Sequence, residues 1–122
     1  VTDTHFDRRD RLGRLIVFVA RAAQDSGDPD MIGIGVDEDT ALCVEPDGRA
    51  QVYSADGHGR VWVVRPGRGA DRLTQGEPLR FHAVPVTVVA SGGRMRLDDF
   101  QADADYHAAV DVDGGRIELI RR

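Results

Sequence analysis

The chain has 122 residues and a formal net charge of −5, with 41% hydrophobic and 30% charged residues. That length fits one domain with a real core, and the acidic balance argues against general nucleic-acid or anionic-membrane binding. No stretch approaches the roughly 20 apolar residues that a spanning helix needs. All sixteen basic residues are arginine. A GC-rich coding sequence gives that bias, and the bidentate carboxylate binding at which arginine excels matters only where arginines cluster. The single cysteine, Cys43, excludes an internal disulfide. In its apolar run, ALCV, it is expected to be a buried, inert thiol, and it favours a reducing, cytoplasmic compartment.

Residues 6–23 carry apolar side chains at spacings of three and four: Leu12, Leu15, Ile16, Val19, Ala22 and Ala23. This predicts an amphipathic helix, with Asp7 and Asp10 near its start where the helix dipole favours negative charge. The cluster QDSGDP ends it. The run MIGIGV, residues 31–36, has the form of a buried strand. ALCVE (41–45), the turn PDG and RAQVYSA (49–55) form a hairpin, and a further strand lies around 60–65. Residues 69–79 are polar and expected to be loop. FHAVPVTVVA (81–90) is strand-like, but Pro85 predicts an edge strand or a break. SGGR is a turn, residues 97–109 hold a short helix or irregular structure, and RIELI (116–120) is the last strand. One helix leading into a strand suggests the tail of a parallel sheet. The hairpins suggest antiparallel additions, an α+β pattern when taken alone.

Several signals carry no chemistry. Gly33 and Gly35 lack the third glycine of a dinucleotide loop and sit inside the apolar run. Asp37, Glu38 and Asp39 lack the glycine and length of a calcium loop. His58, His82 and His107 are too scattered for metal ligands. Ser26, Ser54 and Ser91 stand in no nucleophile elbow, so the chain offers no nucleophile.

The opening VTDTHFDRRDRLGRL differs. Asp3, Thr4 and His5 precede the helix, where α/β sheets build their sites, and Arg9, Arg11 and Arg14 follow. On a regular helix Arg9 and Arg11 lie about 160° apart and share no face. If the helix begins only near Arg11, the three can converge on one pocket. The plain alternative is a solvated helix start with pairs such as Asp7–Arg11 and Asp10–Arg14.

DTHFDRRDRLGRL, followed by GIGVDEDTALCVE, resembles the cyanophycinase family of serine peptidases, which carry D-Q-H-F-x-x-R-x-R-x-x-R, a helix, and G-I-G-[IV]-D-E-[DN]-T-A. The resemblance implies an α/β fold: the C-terminal part of a class I glutamine amidotransferase-like sandwich, related to peptidase E. Residues 1–122 would be one portion of a single domain whose nucleophile-bearing N-terminal half lies upstream. It implies that His5 is the general base for a serine of that half, with Glu38, or a carboxylate of the missing half, orienting it. Asp3, Thr4, Arg9, Arg11 and Arg14 would bind substrate. The family substrate, cyanophycin, has a poly-aspartate backbone with arginine on each β-carboxyl group, and is cut to β-aspartyl-arginine dipeptides. The family glutamine is Thr4 here, which puts substrate preference in question and leaves open a non-catalytic binding or assembly module. No metal or cofactor is implied. The expected partners are the upstream half, cyanophycin or a β-aspartyl dipeptide, and in principle a second copy. Until the upstream half covers them, the helix stripe and the 31–36 run are expected to leave the isolated chain unstable.

Overall fold

The computed structural model describes residues 1–7 and 10–121. The described residues form an α/β arrangement of one helix and two sheets. The elements are β1 (Thr2–Asp3), α1 (Leu12–Ser26), β2 (Gly33–Val36), β3 (Thr40–Val44), β4 (Arg49–Ser54), β5 (Arg60–Val64), β6 (Arg80–Ala90), β7 (Arg94–Arg96), β8 (Tyr106–Asp113) and β9 (Arg116–Arg121). The large sheet has the order β1-β2-β5-β6-β8-β9, and the small one β3-β4-β7. Among the described residues only β1 and β2 run parallel, joined through α1; the other pairings are antiparallel.

Side-chain alternation along the strands makes the large sheet a middle layer. On β5, Val64 faces α1 while Val61 and Val63 face the small sheet. The helix stripe Leu12, Leu15, Ile16 and Val19 packs in one core with Val64, Phe81, Val84, Val86, Val88 and Val110. The second core joins Ala50, Val52 and Met95 to Val61, Val63 and Val89. The stripe is therefore covered within this chain, and the expectation that it needs an upstream partner for burial is corrected.

The helix starts at Leu12, not at residue 6, and ends at Ser26 with Gly27 as a left-handed cap at φ 71°. His5 and Asp10 have φ of 50° and 49°, which no helical turn accommodates. Asp7 and Asp10 thus precede the helix instead of forming its first turn. Pro85 does not lie on an edge strand, but it follows closely on a break in register: the β6–β8 pairing shifts between Phe81 and Val84, where Ala83 has φ 55°. Pro85 itself sits inside the central strand β6, opposite Ala109 of β8. Its carbonyl accepts from the Arg65 amide just past the end of β5. Its missing N–H would have pointed the same way, so the proline removes a bond only where that ladder ends. Residues 106–109 belong to strand β8, not to a helix or irregular segment. Cys43 is exposed, because Leu42 takes the inward position on β3.

Candidate active site

Two short connections build the site: residues 4–7 after β1, and residues 37–39 after β2. The parallel register, Thr2 beside Ile34 and Asp3 beside Gly35, brings the strand ends together. The Phe6 amide donates to the Val36 carbonyl at 3.2 Å. Gly35 makes that closeness possible, and Gly33 lets the helix lie on the same strand. A Cβ on Gly33 would lie 2.5 Å from Val19 Cγ2, and one on Gly35 would strike the Phe6 ring. Both glycines serve close packing.

His5 and Glu38 meet there. His5 Nδ1 lies 2.6 Å from Glu38 Oε2, with His5 54% exposed and Glu38 17% exposed. An ionised carboxylate only accepts, so Nδ1 carries the proton.

Behind this pair stands a second cluster. Asp3 is 7% exposed. Arg14 grips it bidentately, Nε to Oδ2 at 2.9 Å and Nη2 to Oδ1 at 2.7 Å. Arg11 Nη1 donates to Asp3 Oδ1 at 3.2 Å and to the Thr4 carbonyl at 2.8 Å, and the Thr4 amide donates to Asp3 Oδ1 at 3.0 Å. Hydrogen bonding from Arg14 holds the Asp3 carboxyl below the usual range against the opposing cost of burial, with the Thr4 amide and Arg11 adding to the effect. Arg11 and Arg14 pair with Asp3 and not with Asp7 or Asp10, and the late helix start lets them converge. Arg14 also stacks over the Phe18 ring, 5.5 Å from its centroid, and its side chain keeps 47% exposure. Arg9 lies outside the described residues.

The His5–Glu38 pair opens on a cleft of about 530 Å³ lined by Thr4, Thr40, Ala41, Tyr53, Ser54 and their neighbours. The sequence reading did not single out Tyr53 and weighed Ser54 only as a nucleophile, placing neither of them at the cleft. The hairpin register, Ala41 opposite Tyr53 and Thr40 opposite Ser54, is the signal that could have placed them beside Glu38. Ser54 is committed to its own turn: its hydroxyl donates to Asp56 Oδ1 at 2.7 Å and accepts from the Gly59 amide at 3.0 Å. His58, His82 and His107 are exposed, and no group of three metal-ligating side chains occurs among the described residues. Among those residues, no helix is long and apolar enough to cross a membrane.

Fold and site together define a class: an α/β chain in which a carboxylate orients a histidine at the mouth of a cleft, beside a carboxylate-anchored pair of arginines. No family model matches the chain. Among curated proteins it is similar to cyanophycinases. It is 37% identical to the cyanophycinase of Trichormus variabilis over 101 residues, which is 80% of this chain and 31% of that protein. It is 41% identical to that of Synechococcus elongatus over 105 residues, 83% of this chain and 30% of the relative. The cyanophycinase of Geminocystis herdmanii is 29% identical over 106 residues. The chain thus spans about a third of the length of these relatives, and the resemblance carried by the opening motif extends over most of it.

Proposed function

We infer that the chain supplies the histidine side of the active site of a cyanophycinase-like serine hydrolase. It is read as the C-terminal part of a glutamine amidotransferase-like sandwich whose upstream half brings the nucleophilic serine. The observation that carries this is the 2.6 Å contact between His5 and Glu38 at the cleft mouth, in a chain similar to cyanophycinases.

The roles follow from chemistry. His5 Nε2 takes the serine proton and returns it to the leaving amine, while Glu38 holds the ring and stabilises the imidazolium. Arg11 and Arg14, with Arg9, present guanidinium groups to the carboxylates of a β-aspartyl peptide. Asp3 already accepts from both arginines, so it contributes by aiming them. Thr4 lines the cleft, where the family motif that the opening stretch resembles has a glutamine, and its shorter side chain leaves room for a different substrate end. The open edge of the large sheet at β1, next to these residues, is where upstream strands would add.

The test compares the isolated chain with a longer protein that carries the upstream sequence, using cyanophycin and β-aspartyl-arginine as substrates. The longer protein is expected to release dipeptides from cyanophycin, and the isolated chain to release none, since catalytic groups act as a unit. A longer protein that binds cyanophycin without cleaving it would point to the binding-module alternative. Turnover by the isolated chain would overturn the assignment of the nucleophile to the upstream half.

A further inference from the structure

Asp37 stands next to Glu38 in sequence, yet its side chain turns the other way, into the protein, where it is 9% exposed. Its Oδ1 accepts from the Asp7 amide at 3.1 Å and from the Trp62 indole N–H at 3.0 Å, and its Oδ2 accepts from the Arg60 amide at 2.8 Å. The Asp37 amide in turn donates to the Arg60 carbonyl at 3.1 Å. Among the described residues no cation pairs with it, and burial pushes its carboxyl up from the usual range, the three N–H donors opposing that shift. A buried carboxylate that accepts from three N–H groups on separate segments, with no cation among the described residues, is a costly way to join two loops.

What it joins is specific. His5 sits at φ 50°, a left-handed conformation rare for a residue with a Cβ. Such a conformation persists only where the surroundings over-determine it. On the near side of His5, Asp3 is paired to β2 and Thr4 is bonded to Asp3 and Arg11. On the far side, Phe6 is bonded to Val36 and Asp7 to Asp37. The Asp7–Asp37 bond is the one made by a side chain that adjoins Glu38.

The geometry points to Asp37 as the positioning residue of the His5–Glu38 pair: its buried carboxylate ties the turn that carries His5, the strand end that carries Glu38 and the start of β5 into one rigid unit. This rests on His5 and Glu38 acting together, but not on their being catalytic. Asp37 touches no reacting atom. It sets the ring orientation on which the Nδ1–H tautomer depends.

The experiment uses ¹⁵N-labelled chain, because the imidazole ¹⁵N signals of His5 report which ring nitrogen carries the proton. Wild type is expected to show the Nδ1–H form. Glu38→Gln and Asp37→Asn should both move the pattern toward the Nε2–H form that free imidazole prefers. In Asp37→Asn the Asp7 amide should also exchange about 10- to 100-fold faster, the loss expected for a hydrogen bond to a charged acceptor. Val110→Ala, which destabilises the core away from the site, should leave the His5 pattern unchanged. A folded Asp37→Asn protein with the wild-type pattern would overturn the inference. If that variant does not fold, wild type decides: Asp7 and Arg60 amides exchanging as fast as in unstructured chain would overturn it equally. Should the coupling hold while His5→Ala leaves turnover intact in the longer protein, the catalytic reading fails and the positioning role stands.

Discussion

At the scale of residues, Asp3 is the hinge of the site. It accepts from two arginines and a backbone amide while almost fully buried. Asp3→Asn replaces an acceptor by a donor facing guanidinium groups and should cost about 1.5–3 kcal/mol, read by urea unfolding at neutral pH. The sign of its pH dependence is fixed. The folded Asp3 pKa is lowered, chiefly by Arg14, so its contribution is complete above the ordinary carboxylate pKa of about 4 and is lost as pH falls through the lowered value. The stability gap between wild type and Asp3→Asn should therefore shrink in acid; a gap that widens below about pH 4 would contradict the pairing. Asp37 acts oppositely. Its folded pKa is raised by burial, so ionising it costs stability as pH rises from the ordinary carboxylate value through the raised one, and acid relieves that cost. Spacing put His5, Arg11 and Arg14 within a few residues of one another but left a solvated helix start open; the resemblance to the cyanophycinase motif is what singled them out. Spacing could not assign Asp37, set aside as part of an incomplete cation loop, because the donors at Arg60 and Trp62 come from a strand more than twenty residues away.

At the scale of elements, β2 matters through what it lacks. Its glycines let Phe6 and α1 lie directly on the strand, and Phe6, 1% exposed, stacks 5.6 Å from Trp62. Gly35→Ala would push a methyl into the Phe6 ring. It should destabilise by about 1–3 kcal/mol, the usual cost of overpacking, and shift the His5 signals by NMR. An unperturbed Gly35→Ala protein would mean that Phe6 has room to spare. The apolar stripe of α1 was legible from its period, but the start of the helix was not. Residues 6–11 continue the polar and apolar pattern while His5 and Asp10 take left-handed backbone to bring Phe6 over β2. Strand β8 escaped for a related reason: Ala108 and Ala109 have weak strand propensity, and what makes them strand is the ladder to β6 on one side and β9 on the other. Pro85 misled only as a sign of an edge, because its cost depends on which neighbour its nitrogen faces, a fact of pairing and not of composition.

At the scale of the molecule, two cores flank one sheet, and the helix stripe is sealed by residues of the same chain. The isolated chain should therefore unfold in a single cooperative urea transition. Phe81→Ala, deleting a fully buried ring at the centre of the larger core, should lower stability by about 3–5 kcal/mol. Broad, probe-dependent unfolding of the wild type would contradict this layering. The catalytic reading is a separate matter, since it joins this chain to the longer relatives it matches. Its most direct measurement is the steady-state turnover of cyanophycin by a longer protein carrying His5→Ala, with its melting temperature recorded alongside. The account predicts a fall in kcat on the order of 10³ or more, as for other members of catalytic triads, at an almost unchanged melting temperature. Near-normal kcat at saturating substrate would contradict it.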